Sequence, residues 1–148
     1  MTLVKRDKKN IWFFSEGITF APAAKGKLRE WINKIIKKEG HKPGEINIIF
    51  CTDAYLSEIN VKYLKHNTLT DIITFDLSEK PGILQGDIYI SLERARENAA
   101  KFKVSLKKEV TRLIAHGVLH LAGYKDKTPE DKQLMTAKED YYLSLPPR

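Results

Sequence analysis

The stretch HGVLHLAGYKD, residues 116–126, contains the residue types that most directly suggest chemistry. His116 and His120 are four residues apart, so on an α-helix their imidazole rings project side by side and could bind one metal ion. A histidine pair at this spacing is weak evidence on its own, because core and surface histidines on ordinary helices share it. A metal site therefore needs a further ligand nearby.

Gly123 and Asp126 extend the pair to a pattern of three candidate ligands. A glycine three residues after His120 can end the helix in a left-handed conformation, and the turn that follows can bring Asp126 back toward the two rings. Two imidazoles and a carboxylate suit zinc with an open coordination position, although iron(II), manganese and nickel accept the same donors. In the alternative interpretation, Gly123 is an ordinary C-cap and Asp126 a solvated turn residue. The spacing favours a metal bound by His116, His120 and Asp126.

The residue after the first histidine limits the reactions that such a site could catalyse. Metzincin proteases share this spacing in the pattern H-E-x-x-H-x-x-G-x-x-H, and their glutamate acts as the general base. In this chain Gly117 stands at that position, and a glycine has no group that accepts a proton. The sequence therefore argues against peptide hydrolysis by that route.

The composition predicts one globular domain, residues 1–148, with 42% hydrophobic and 30% charged residues. No apolar run has the length of a membrane helix or a signal peptide, which favours a cytoplasmic protein with no membrane partner. The single cysteine, Cys51, excludes a multi-cysteine zinc site and is typical of a small buried residue. The net charge of +7 favours a polyanionic partner such as RNA, although a solvated lysine-rich surface explains it equally well.

Hydrophobic periodicity and turn residues predict four strands and five helices. The strands are expected at residues 11–14, 45–52, 70–77 and 86–92. The helices are expected at residues 23–40, 53–64, 91–102 and 105–122, with a last one that begins after Thr128. Asp53 is the expected N-cap of the second helix. Because the third and fourth strands form a hairpin, the predicted fold is α+β, with a mixed four-stranded sheet packed with helices and a zincin-like metal-binding helix.

Three motifs in this order resemble those of the YbeY endoribonucleases, a family also called rRNA maturation factors. HGVLHLAGY, residues 116–124, is similar to the family signature H-G-x-L-H-L-x-G-Y-D-H, from which the chain departs at Lys125 and Asp126. INVKYLKHNTLTDIITF, residues 59–75, is similar to L-N-x-x-Y-R-x-x-D-x-P-T-D-V-L-S-F. GDIYIS, residues 86–91, is similar to G-D-I-x-I-S. By this resemblance the chain is identified as a member of the family.

The resemblance implies a zinc-dependent, single-strand-directed endoribonuclease with one Zn²⁺ ion. It implies a role in ribosomal RNA maturation, including 3′-end processing of the small-subunit RNA, and in ribosome quality control. The implied partners are ribosomal RNA and the ribosome, with ribosomal proteins or assembly GTPases as further candidates. The implied fold is an α+β domain with the metal at one end of a cleft.

The second motif departs from the family pattern at a position that matters for phosphate binding. The family has an arginine after the tyrosine, a plausible phosphate clamp, and this chain has Leu64. Lys62, Lys65 and His66 are close enough in sequence to replace it. A lysine supplies a point charge without the two-pronged geometry of arginine, so the replacement would not be equivalent. His66 could instead transfer protons, or be exposed to solvent without a role.

The remaining site predictions concern two carboxylates and a basic cluster. Asp71 could line the cleft, or could cap backbone N–H groups at a strand end. Glu109, two helical turns before His116, could orient a ligand through a hydrogen bond, or form a surface ion pair. The candidate catalytic residues are Lys65, His66 and Asp71. The candidate RNA-binding residues are Lys62, Lys65, Lys108 and Arg112.

Two other classes of function remain compatible with the sequence. One is a metallohydrolase that acts on a different substrate class, such as peptides or nucleotides. The other is a non-catalytic RNA-binding or ribosome-binding module that keeps zinc for stability. The departures at Leu64 and Asp126 keep this second alternative open, because they alter a phosphate clamp and a ligand that the family chemistry uses.

Overall fold

The computed structural model describes residues 9–64, 70–145 and 147, and these form a four-stranded sheet with five α-helices. The strands are β1 (Ile11–Glu16), β2 (Lys42–Cys51), β3 (Ile72–Asp76) and β4 (Ile83–Ser91). The helices are α1 (Lys25–Lys38), α2 (Asp53–Ile59), α3 (Leu92–Phe102), α4 (Leu106–Leu121) and α5 (Pro129–Leu143). A short π-helical segment, Asn60–Leu64, continues α2. None of the helices in this described part has the length and apolar character needed to cross a membrane.

The sheet is mixed, with the strand order β1-β2-β4-β3. β1, β2 and β4 are parallel neighbours, and β3 pairs antiparallel with β4. The parallel pairs require crossover connections, which helices supply, whereas β3 and β4 are joined by a short connection. The predicted α+β class and mixed four-stranded sheet are therefore confirmed.

Helices cover both faces of the sheet because strand side chains alternate between the faces. The apolar stripe of α1 and the buried face of α4 pack with Ile46, Ile48 and Phe50 of β2 in one core cluster. Cys51, which projects to the opposite face, is buried with Leu56 of α2 in a second cluster. Burial of each such side chain stabilises the fold by about 1.5–3 kcal/mol. This packing fixes α4, and with it the histidine pair, against the sheet.

The predicted and observed boundaries differ at α2 and at β4. At α2 a local hydrogen bond determines where the helix begins. The N-cap of α2 is Thr52, whose Oγ1 accepts from Tyr55 N at 3.1 Å, and Asp53 is the first helical residue, so the predicted N-cap was wrong by one position. A threonine in extended conformation satisfies the exposed N–H groups equally well, and the two adjacent residues are hard to distinguish by type. β4 also begins three residues before its predicted start.

The turn after α4 has the conformation that its glycine predicts. Gly123 has a φ of +110°, which side chains rarely permit. Gly123 N donates to His120 O and Tyr124 N donates to Leu119 O, both at 3.1 Å. These two bonds form a Schellman motif, which satisfies the last carbonyl groups of the helix and reverses the chain. The reversal brings Asp126 back to the end of α4 that carries the histidines.

The glycine between the histidines has a packing role that its type alone does not reveal. A Cβ atom at Gly117 would lie 2.8 Å from Ile88 Cγ2 and 3.1 Å from Ile72 Cδ1. Both isoleucines belong to the sheet, so α4 approaches β3 and β4 more closely than a side chain would allow. The helix therefore has no room for a glutamate at this position, which agrees with the absence of the protease base.

This close contact predicts a large loss of stability for Gly117→Val. We expect the free energy of unfolding to fall by about 2 kcal/mol, because overpacking a filled core costs about 1–3 kcal/mol. The control is Gly26→Val in α1, where an added Cβ meets no atom within 4 Å. That variant should stay within about 0.5 kcal/mol of the parent, since glycine and valine differ little in helix propensity. Equal urea midpoints for the two variants would contradict the close contact.

Candidate metal centre

His116 and His120 lie side by side on α4, as their spacing predicts. Their ring centroids are 6.3 Å apart and the ring planes differ by 15°. The side chain of His116 is 16% exposed, whereas His120 is exposed to solvent. The pair therefore presents one ring near the interior and one at the surface, at the C-terminal end of the helix.

Each histidine is held through its Nδ1 atom. His116 Nδ1 lies 2.7 Å from Glu139 Oε2, and His120 Nδ1 lies 2.9 Å from the backbone oxygen of Tyr124. Both partners are acceptors at hydrogen-bond distance, which favours the neutral tautomer with the proton on Nδ1 in each ring. The lone pair is then on Nε2, the atom left for a metal ion, and such an acceptor behind a ligating histidine is the usual arrangement at metal sites.

Asp126 contacts the same ring from the other side. Its Oδ2 lies 3.3 Å from His116 Nε2. Two donors bound to one tetrahedral zinc ion at about 2.0–2.2 Å lie about 3.3–3.6 Å apart, so this separation suits two ligands of one ion. Within residues 9–64, 70–145 and 147, however, no three His, Cys, Asp or Glu side chains already converge as a ligand set. The donors therefore fit a metal in type and protonation state. The distance between His116 Nε2 and Asp126 Oδ2 fits a metal as well.

A buried ion-pair network lies on the Nδ1 side of His116. Glu139 and Glu109 are both buried, and Arg112 lies between them. Arg112 Nη1 donates to Glu139 Oε1 at 2.9 Å, while its Nε and Nη2 donate to the two oxygens of Glu109 at 2.8 and 2.6 Å. A buried carboxylate without a partner would cost several kcal/mol, so Arg112 allows both acids to remain charged. By holding Oε1 of Glu139, it also fixes the position of Oε2, which faces His116.

Asn98 extends this network toward the start of β3. Its Nδ2 donates to Glu109 Oε2 at 3.1 Å and to Asp71 Oδ2 at 3.0 Å. Asp71 and His116 are thus joined through a continuous series of side-chain hydrogen bonds. A residue of the second sequence motif and a predicted ligand of the first therefore belong to one polar cluster.

The carboxylates around His116 change its protonation. Burial of the ring lowers the pKa of His116, but the hydrogen bond and charge of Glu139, with the charges of Asp126 and Asp71, outweigh that effect. The pKa of His116 therefore lies above its ordinary value of 6.5. Because a metal binds the unprotonated ring, protons compete with the metal more strongly at acid pH than they would at an ordinary histidine.

A second cluster holds the turn that carries Tyr124. Glu39, at the end of α1, accepts from the Tyr124 hydroxyl at 2.5 Å, from the Tyr142 hydroxyl, and from Lys138 Nζ at 3.3 Å. Burial raises the pKa of Glu39, but these three donors outweigh it and hold the pKa below its usual value. The carboxylate therefore stays charged and ties the turn after α4 to both α1 and α5.

The other predicted site residues have different positions. Lys65 and His66 lie outside the described residues, as does the side chain of Leu64. Lys62 is exposed, with Nζ 5.3 Å from the centre of the Tyr63 ring. Lys108 is exposed in the first turn of α4, whereas the guanidinium of Arg112 is engaged by two buried carboxylates. Glu109 contacts Arg112 and Asn98, and it is Glu139 that contacts a histidine.

Glu139 is the residue that sequence reasoning missed. It occupies a position on the buried face of α5, four residues after Met135 and three before Tyr142. A glutamate on an otherwise apolar stripe signals a buried charge that needs a partner. That signal was available in the sequence, but it does not identify which residue the partner is.

Comparisons with known proteins agree with the motifs. The family model described as "Endoribonuclease YbeY" matches residues 15–145. A protein of that description from Cytophaga hutchinsonii is 46% identical over 138 residues, which is 93% of this chain and 96% of the relative. One from Flavobacterium psychrophilum is 55% identical over 78% of this chain and 81% of the relative. The solution structure of TM1509 from Thermotoga maritima has a TM-score of 0.61 at 28% identity, covering 90% of this chain and 87% of that one.

The contact between Glu139 and His116 predicts that Glu139→Gln weakens metal binding. Removal of such an acceptor typically costs 10–100-fold in metal affinity, and we expect about tenfold for an amide that can still accept one bond. The measurement is a competition titration with a chromophoric zinc chelator. The control is Asp140→Asn, an equal charge change at the next residue, which is exposed. A folded Glu139→Gln protein with parental affinity would contradict the assigned contact.

Proposed function

Because the chain belongs to the YbeY endoribonuclease family, we propose that it is a metal-dependent endoribonuclease that cleaves single-stranded ribosomal RNA. The observation that carries the proposal is the acceptor that lies beside Nδ1 of each histidine. Glu139 and the Tyr124 backbone take both Nδ1 protons, so both Nε2 atoms are left for a metal. Members of this family are metal-dependent, and the donors of this chain suit that requirement.

We infer that the metal is one zinc ion held by His116, His120 and Asp126. Two imidazoles, one carboxylate and an open position form a donor set typical of catalytic zinc. When bound, the ion would supply a Lewis acid that polarises a phosphoryl oxygen. Asp126 replaces the third histidine of the family signature, so the set carries one negative charge more than three histidines would.

Asp71 is the carboxylate to which we assign proton transfer. Its charge acts on His116, and Asn98 holds its Oδ2 at 3.0 Å. No donor in the described part of the chain binds its Oδ1, so that oxygen would accept the proton of the attacking hydroxyl. Lys62 and Lys108 are exposed cations that would bind RNA phosphates nearby, and Lys65 and His66 remain candidates from the sequence.

The substrate follows from charge and family. The net charge of +7 suits a polyanion, and RNA is the substrate that the family name specifies. Ribosomal RNA, including the 3′ end of the small-subunit RNA, would place the protein in the cytoplasm beside ribosomal proteins or assembly GTPases. We infer that Arg112 and Glu109 support the metal centre indirectly. Arg112 pairs with both Glu109 and Glu139, and Glu139 contacts His116.

Substitution of Asp126 tests the proposed activity directly. Asp126→Ala should lose zinc and reduce cleavage of single-stranded RNA by about 10²-fold or more, because the site retains only two ligands. Asp126→His is the matched control, since it restores the family residue and should keep both zinc and cleavage. Its optimum pH should be lower, because a neutral third donor leaves more positive charge at the site.

The readouts are metal content after purification without chelators and cleavage of single-stranded against duplex RNA. We expect about one zinc per chain and preferential cleavage of the single strand. If the parent protein binds zinc yet leaves both RNAs intact, the proposed activity is wrong. If removal of zinc unfolds the parent, the metal is chiefly structural.

A further inference from the structure

A basic groove runs along α1, apart from the residues assigned to the metal centre. It is open and has a volume of about 1010 Å³. Five cations and one carboxylate line it, namely Lys9, Arg29, Lys34, Lys37 and Lys38 with Glu30. We propose that this groove binds the phosphates of the RNA strand that extends from the metal centre, an inference that rests on the proposed function.

The charges of the groove are not neutralised by the rest of the described chain. Among residues 9–64, 70–145 and 147, none of the five cations forms an ion pair with a carboxylate. Lys34 lies three residues before Lys37 and four before Lys38 on α1, so its ammonium group is a helical neighbour of both and like charges repel there. A polyanion would relieve this repulsion and release its own counterions on binding.

Two of the cations are held in place by aromatic neighbours. Arg29 Nε donates to the backbone oxygen of Ile11 at 2.8 Å, and its guanidinium carbon lies 5.3 Å from the centre of the Phe13 ring. Lys38 Nζ donates to the Tyr141 hydroxyl at 3.2 Å and lies 5.7 Å from the centre of that ring. Positions fixed in advance reduce the entropy lost when phosphates bind.

The interior of the groove is polar and fixed by hydrogen bonds. Asn10 and Asn33 exchange two amide bonds, of 2.9 and 3.1 Å, and Asn10 also donates to the backbone oxygen of Gly44 at 3.0 Å. These bonds join the start of β1, the middle of α1 and the start of β2. The groove is therefore part of the rigid fold, with a wall that suits a hydrated, charged ligand better than an apolar one.

The C-terminal end of the groove is linked to the metal centre through Glu39 and Tyr124. Lys38 is followed by Glu39, which accepts from the Tyr124 hydroxyl at 2.5 Å. The backbone oxygen of Tyr124 lies 2.9 Å from His120 Nδ1. α1 has 14 residues and is about 21 Å long, enough to contact several consecutive phosphates. A strand cleaved at the metal centre could thus continue along the groove.

The first test measures the salt dependence of binding to a 20-nucleotide single-stranded DNA, which carries the phosphates but resists an endoribonuclease. The groove variant is Lys34→Gln with Lys37→Gln. The control, Lys27→Gln with Lys107→Gln, removes the same charge from lysines that line a separate apolar cavity. Each lost phosphate contact lowers the slope of log K against log salt by about 0.7 on single strands, so the groove variant should lose about 1.4 and the control nothing.

The second test compares cleavage of 20-nucleotide and 5-nucleotide RNA. The groove variant should lower kcat/KM for the long strand about tenfold more than for the short one, and the control variant should keep the parental ratio. Equal salt slopes for the two variants, or an unchanged length ratio in the groove variant, would overturn the proposal that the groove binds RNA phosphates. If the parent cleaves neither RNA, the proposed function fails, while the DNA measurement still decides whether the groove binds phosphates.

Discussion

The hydrogen bond between Glu139 and His116 Nδ1 is the contact on which the rest of the site depends. It sets the tautomer of the ring and so decides which nitrogen can bind a metal. A buried glutamate could not provide that bond alone, because its charge would be too costly. Arg112 offsets this cost by pairing with Glu139 and Glu109 together. Asn98 extends the network by donating a hydrogen bond to Glu109. The contacts that orient His116 are therefore part of the buried interior of the protein.

The fold provides this contact through the docking of its last helix. α5 carries Glu139, and Trp31 Nε1 of α1 donates to the backbone oxygen of Tyr142 at 3.1 Å, which holds α5 against α1. Glu39 then joins α1, α5 and the turn after α4 at one carboxylate. His116 is consequently oriented by a residue 23 positions away in sequence, whereas His120 is oriented by the backbone of the turn that follows its own helix. Displacement of α5 would release His116 without altering any proposed ligand.

The fold and part of the site could be predicted because they depend on local patterns. Strand alternation, helical periodicity and the hairpin predicted the mixed sheet. Gly123 predicted the turn, because glycine readily adopts a positive φ. Glu139 could not be assigned to His116, since the two are 23 residues apart and meet only when α5 crosses α4. The packing role of Gly117 was hidden as well, because it depends on how closely the helix approaches Ile88.

The most direct test of this account is the tautomer of the two imidazoles, measured by long-range ¹H–¹⁵N NMR on the metal-free protein above the pKa of His116. We expect protonated Nδ1 and bare Nε2 in both His116 and His120, as their acceptors Glu139 and the Tyr124 backbone require. Added zinc should shift both Nε2 resonances and leave the Nδ1 protons in place. A proton on Nε2 of either ring, or Nε2 resonances that do not respond to zinc, would contradict the account.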